Sequence, residues 1–470
     1  AIGAGGGLIL NAGGSVSFGS GTEVWYGFGQ VNVSAGREVL FTGSGSLDAK
    51  AADIVLSAPA IAADGGSTQS LTTTGSLTIA GSGALPNLAA TDIGATLALT
   101  GGTVNGSGTI LAPGGTGTPE AKTGDLTLSG NAAIDAGGTE IMLFNLREDT
   151  PGGAVSLISD TGNVNTGAGT LVDVSALGSG YAGSLTIEAA KGAANLNGLL
   201  QGNGAYKDTG GNFTLNTNTF SGFLPLSGFT GSFNLQLGQG DIMIAAGQTL
   251  TSGNVLLVAN NGSVIVNGTI DASGPTGGSI ALYGAGGVAI ASTGQLLARY
   301  RADDPSDPGY ANGASVLVQT GGTITLGTGG RFVPTGAASD YNSSYGYENI
   351  LPGNSGTITI AAGAVLDVSG GPGGANINNA GGQILLRAPI LSDGSVNVVN
   401  NAAPSSFRGA SAVTLEAYAV WSTADASTGA QHFDGIIDPA GWYDSTGTLV
   451  AGTFKNAGGT TVATWNGTTL

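Results

Sequence analysis

Cysteine is absent from this 470-residue chain, histidine occurs once, aromatic residues make up 6% and charged residues only 9%. The lack of cysteine excludes a disulfide framework, thiolate metal sites and thiol nucleophiles together. No apolar run approaches the ~20 residues of a membrane-spanning helix. The opening AIGAGGGLIL has no basic start of the kind a secretory signal carries, so a mature or internal segment is expected, with any export signal outside it. Positive charge is scarce as well: 12 Lys and Arg stand against 30 Asp and Glu, a net charge of −18, and no stretch concentrates the basic residues. Nucleic acid and anionic membrane surfaces are therefore not expected as partners, and membrane insertion is not expected.

Glycine, by contrast, is abundant at 88 residues, yet 41% of the chain is hydrophobic, too much for a disordered linker. The apolar residues come in short pulses such as LTI, LALT, IML, VLLV and ITL, alternating with period two and separated by Gly, Asn, Ser and Asp. No window favours a helix of three turns. One unit recurs: Ile270-Asp271-Ala272-Ser273 matches Leu366-Asp367-Val368-Ser369 and Val172-Asp173-Val174-Ser175, with shorter echoes at Leu47-Asp48-Ala49 and Ile134-Asp135-Ala136. After the unit comes a glycine corner and another strand: Gly277-Gly278 before Ile280 and Leu282, Gly381-Gly382 before Ile384 and Leu386, Gly183 before Leu185 and Ile187. Hairpin arrays could use the same Gly-Gly and Asn-Gly steps. The ordered cycle of roughly 20 to 30 residues instead predicts one coil of a β-solenoid.

The expected fold is therefore all-β, a right-handed parallel β-helix forming an elongated rod. Ile270, Ile280, Leu282, Val288 and Ile290 should point inward, and Asp271, Ala281 and Ala289 outward. The shaft is expected over 1–400, with loop insertions near 299–313, 331–356 and 371–379. Over 401–470, continuing coils or a modified C-terminal segment are expected, since Trp421, Phe433, Trp442, Tyr443 and Trp465 thicken there.

The stretch Gly381–Trp421, GGQILLRAPILSDGSVNVVNNAAPSSFRGASAVTLEAYAVW, resembles the repeat region of filamentous-haemagglutinin-type exoproteins of bacterial two-partner secretion. The resemblance is carried by GG-x-I-x-L-R-A-P at Gly381–Pro389 and V-x-L-E-A-Y at Val413–Tyr418, and Leu56-Ser57-Ala58-Pro59 repeats the L-x-A-P ending. It implies a right-handed parallel β-helix, secreted through an outer-membrane partner to the bacterial cell surface, with a role in adhesion, biofilm cohesion or fibre formation. The partners implied are extracellular polysaccharide or a host or neighbouring cell surface. The Asn-Pro-Asn-type motifs of the family's secretion domain are not seen, so the resemblance places the chain in an internal or C-terminal part of such a protein.

Candidate sites are few. Asp48, Asp135, Asp173, Asp271 and Asp367 could form an outward carboxylate ladder for Ca²⁺, the one cofactor left open. The plainer reading is that each Asp accepts a hydrogen bond from the backbone of its own corner. Two interruptions, Arg299–Gly313 and Arg331–Gly356, gather Tyr300, Tyr310, Tyr341, Tyr345, Tyr347, Asp303 and Asp304 on loops, where binding usually resides. Tyrosine faces beside carboxylates suit a sugar ring, and the alternative is loops that pack against the shaft and shield it. An enzyme would use Asp303 and Asp304 with Arg299 or Arg301, but the polygalacturonase signatures are missing and the only histidine, His432, lies far along the chain. His432 with Asp434 and Asp438 is more simply a local turn than a metal site. The sequence reading therefore assigns no catalytic residue, no metal site and no enzymatic activity. A self-assembling extracellular filament subunit, joined end to end, is the alternative function, and a polysaccharide-active β-helix enzyme ranks below it.

Overall fold

A computed structural model describes residues 5–81, 83, 85, 93–206, 209–220, 226–302, 318–328, 341–342, 347–348, 356–372, 378–389, 395–418, 452–455 and 461–465. The chain divides into two compact units: Ala1–Ala388 with Asn397–Glu416, and Pro389–Val396 with Ala417–Leu470. In the second unit, Gly452–Lys455 pairs antiparallel with Thr461–Trp465.

The first unit is a parallel β-helix. Each coil lays down strands on up to three faces. A long face begins at Gly21–Val24 and is joined without a break, strand on parallel strand, through Thr116–Ala121, Asn212–Phe220 and Ser279–Gly284 to Gln383–Pro389. From it the chain passes to a following face, then to a closing face, and returns to the long face one coil further on. Among the described residues, a 21-stranded sheet takes in the long face and the first part of the following face, and an eight-stranded sheet forms the first part of the closing face. Two five-stranded sheets make the later parts of those two faces.

The register explains the interior. Leu185, Phe213, Phe233, Val255, Ile280, Ile324 and Ile384 fall into one column on the long face. Two residues on, Ile187, Leu215, Leu235, Leu257, Leu282, Leu326 and Leu386 form the next column. All are buried. Period-two alternation turns these residues inward, and stacking at about 4.8 Å covers each with its neighbours above and below. Burying side chains of this size contributes roughly 1.5–3 kcal/mol each, so every added coil enlarges one shared dry core. Ile270, Val288 and Ile290 are inward as expected, while Asp271, Ala281 and Ala289 are partly exposed.

Two findings depart from the sequence reading. The pulse IML is not a coil strand: Glu140–Leu143 pairs antiparallel with Leu146–Asp149 as a hairpin. The echo Leu47-Asp48 lies on the long face, whereas Ile134-Asp135 and Val172-Asp173 end strands of the closing face. The local Asp turn thus caps a strand at more than one corner and does not by itself give the phase of the coil.

Among the described residues, two of the ladders stop and restart at one point. The following face stops at Thr219–Phe220 and the closing face at Leu226–Ser227; both restart, in separate sheets, at Ile242–Ile244 and Thr249–Thr251. Among the described residues, the long face alone crosses this point, through Ser232–Leu237.

Candidate functional site

The corner at which each coil returns from the closing face to the long face is where the chain departs most from a minimal coil. At this corner lie, among the described residues, 136–153, 174–183, 202–206, 209–211, 272–278, 298–302, 318–322, 368–372 and 378–382. The device that shapes it is local. The Oδ1 of Asp135 accepts the Gly137 N–H at 2.9 Å, that of Asp173 the Ser175 N–H at 2.8 Å, that of Asp271 the Ser273 N–H at 2.9 Å and that of Asp367 the Ser369 N–H at 3.0 Å. Asp48 does the same at its own corner, accepting from the Lys50 N–H at 2.8 Å. The recurring aspartates are therefore turn-makers. Among the described residues, no three His, Cys, Asp or Glu side chains gather in a group that could hold a metal ion.

The insertions stack on one another as the coils do. Gly138 donates to the Ser175 carbonyl at 2.7 Å and Ala176 to the Asn203 carbonyl at 2.9 Å. Further along, Tyr300 donates to the Ser369 carbonyl at 2.8 Å and Arg301 to the Gly274 carbonyl at 2.8 Å. This outer ladder fixes the start of the 299–313 insertion. It also sets the two arginines beside turn aspartates: Arg299 Nη1 lies 3.6 Å from Asp367 Oδ2, and Arg301 Nη1 lies 3.6 Å from Asp271 Oδ2. Asp367 is nearly fully buried and also accepts the Ser369 hydroxyl at 2.6 Å. The arginines that a polyuronide-cleaving site would have needed thus face turn aspartates.

Beside them is a polar cleft of about 820 Å³, with Asn254, Asp271, Thr276, Arg301 and the glycines Gly274 and Gly277 in its wall. Thr230 Oγ1 belongs to this wall, is buried, and has no hydrogen-bond partner among the described residues, while Arg301 Nη1, buried in the same wall, meets Asp271 Oδ2 at 3.6 Å, an ion pair longer than a hydrogen bond. A buried donor without an acceptor costs about 1–3 kcal/mol, so the cleft is poised for a polar guest. Its mixture of amide, hydroxyl, guanidinium and carboxylate groups is the chemistry that recognises a hydroxyl-rich ring. No composition or spacing signal pointed to Thr230, which enters the wall from the coil next to Gly253, whose N–H its carbonyl accepts at 2.8 Å.

The expected tyrosines are not brought together as one described site. Tyr300 is half-buried, with its ring close over Gly371. Tyr341 and Tyr347 sit on two short antiparallel strands, Tyr341 opposite Glu348 and Asn342 opposite Tyr347. Asp303, Asp304, Tyr310 and Tyr345 lie outside the described residues, as do His432, Trp421, Phe433, Trp442 and Tyr443.

Comparison of the chain with protein-family models, with curated proteins and with solved structures finds no match.

Proposed function

We propose that this chain is the shaft of a large secreted bacterial surface adhesin or fibre protein, of the filamentous-haemagglutinin kind, exported with an outer-membrane partner and serving adhesion, biofilm cohesion or contact with extracellular matrix. The observation that carries this reading is the uninterrupted parallel ladder of the long face with its two buried columns. Such a core grows by adding coils and suits reach, and the return corner offers a repeated place to mount loops. No helix among the described residues is long and apolar enough to cross a membrane.

The ligand that fits the polar cleft is an extracellular polysaccharide, held through Arg301, Asp271 and Thr230 with Tyr300 nearby. The chain itself does no chemistry on it in this reading, because Arg299 is paired with Asp367 and the carboxylate beside Arg301, Asp271, is held in its own turn. Sedimentation velocity and small-angle scattering of the purified chain test the shaft: a high frictional ratio and a rod-like cross-section are expected, and a compact particle would end the reading. Titration with neutral and uronic-acid polysaccharides tests the ligand. Binding that weakens at least tenfold in Arg301→Ala, without release of shortened products, is expected. Product release would favour the enzyme instead.

A further inference from the structure

Five Asn-Gly steps fall on described residues: 105–106, 197–198, 203–204, 261–262 and 267–268. Asn is a thermally labile residue, and a glycine after it leaves the backbone nitrogen unshielded, because glycine has no Cβ. That nitrogen, once it loses its proton, can attack the carboxamide beside it. The fold decides which steps are free to react. A backbone N–H held by an acceptor keeps its proton, and a carboxamide held by partners is not free to turn toward the nitrogen.

Four of the five are held. Asn105 and Gly106 lie inside the strand Thr103–Gly106 and pair with the coils on both sides. The Gly198 N–H is buried and donates to Thr166 Oγ1 at 3.2 Å, and the Gly268 N–H donates to the Ile244 carbonyl at 3.1 Å. Asn203 Oδ1 accepts the Ser227 hydroxyl at 2.8 Å, and its Nδ2 donates to Ser175 Oγ at 3.4 Å. Asn261 is different. It is exposed, in the turn that joins the strands Asn254–Ala259 and Ser263–Val266. Among the described residues, neither its carboxamide nor the Gly262 N–H makes a hydrogen bond. The glycine is also required, since a Cβ at 262 would fall 2.0 Å from the carbonyl oxygen of Gly240 one coil back. Coil stacking thus keeps a glycine behind an exposed asparagine.

We propose that Asn261–Gly262 is a site of self-modification, at which the Asn261 carboxamide becomes a carboxylate without an enzyme. The Gly262 nitrogen bonds to Asn261 Cγ, the Cγ–Nδ2 bond breaks, and Nδ2 leaves as ammonia with the proton that the Gly262 nitrogen gave up. Water then opens the five-membered imide. Opening at one carbonyl gives aspartate, and at the other isoaspartate, whose main chain is one methylene longer. Either product takes the net charge from −18 to −19. The new carboxylate arises two residues from Ser263, whose N–H is accepted by Asp241 Oδ1 at 2.8 Å. Isoaspartate also lengthens the turn that feeds Ser263–Val266, a strand paired with Ile242–Ile244 on one side and Gly287–Ile290 on the other. The site concerns other residues than the polar cleft and is independent of the shaft reading.

Peptide mapping by mass spectrometry tests it, on the whole folded chain held at neutral pH and sampled over time. The amide-to-acid mass gain at Asn261 is expected to appear about tenfold or more faster than at Asn105, Asn197, Asn203 and Asn267, because the held steps react only from locally opened states. Both aspartate and isoaspartate should form at 261, at a rate that rises with pH. In urea the five rates should converge. Conversion at Asn261 no faster than at the held steps, aspartate as the sole product, or an advantage of Asn261 that persists unchanged in urea would each overturn the proposal.

Discussion

At the residue scale, the coil is governed by what lies directly above and below a given atom. The glycine that precedes most long-face strands shows this best. A Cβ on Gly183 would fall on the carbonyl oxygen of Gly153 one coil back, and a Cβ on Gly153 would fall on that of Gly115. Gly183→Ala is accordingly expected to cost about 3 kcal/mol or more, read as a drop in the denaturation midpoint. Gly14 meets nothing within 4 Å, and Gly14→Ala should be neutral or stabilise by up to ~1 kcal/mol. The recurrent Gly-Gly steps were visible in the sequence as corners, but their reason, close approach between coils, needs the register. Asp135 supplies a second case. Burial raises its carboxyl above the usual aspartate range, Asp173 one coil away adds to the rise, and the Gly137 N–H opposes it. A raised carboxyl binds more protons folded than unfolded, so this group loses stability for the fold as pH climbs from about 3.8 through its folded value. Asp135→Asn, which keeps an acceptor for the Gly137 N–H, should raise the melting temperature at pH 7, with the gain disappearing on acidification toward that lower limit. A gain that persists unchanged at acid pH would mean the charge of Asp135 is not its source.

Elements come next, and here the return corner is the informative one. The segment Asp367–Ser369 closes a strand, turns the chain, and receives Arg299 from the coil before it. Asp367→Ala removes the acceptor for the Ser369 N–H and leaves Arg299 without its carboxylate, an expected loss of about 1–2 kcal/mol after allowance for the half-exposed arginine. Asp367→Asn retains the turn and should lose less than half of that; equal losses would mean the charge matters and the turn does not. The Asp-x-Ser pattern made this corner legible from sequence because an Asx turn is encoded within three residues. What sequence could not supply was phase and partner. Leu47-Asp48 reads like Ile134-Asp135 but sits on another face. IML reads like any inward strand, since three alternating apolar residues are the same in a coil and in the exposed hairpin. Arg299 and Arg301 looked available for a substrate because their aspartates lie 68 and 30 residues away along the chain.

For the β-helical unit taken whole, cohesion is a sum of nearest-neighbour terms, each coil holding its two neighbours through as many ladders as cross between them. Over most of the described length, two or three ladders cross. Between Phe220 and Ile242 only the long face does among the described residues, and Phe229, Ile244 and Leu250 line a cavity there. The coupling energy must be lowest there. Regions of low local contact open first, so amide exchange should be fastest in the strands flanking this point, Thr219–Phe220, Leu226–Ser227, Ile242–Ile244 and Thr249–Thr251, at equal solvent exposure of the amides. Denaturant unfolding should likewise resolve into two transitions, one for the coils before the break and one for those after it. Hydrogen-exchange mass spectrometry through a urea series reads both. The apolar pulses run through this region without change of pattern, which is why alternation alone predicted an even stack: periodicity reports which way a side chain points and is blind to whether the next coil pairs with it. Uniform protection across residues 212–266 with a single cooperative transition would show that the long face alone couples the two stacks as tightly as three ladders couple their coils.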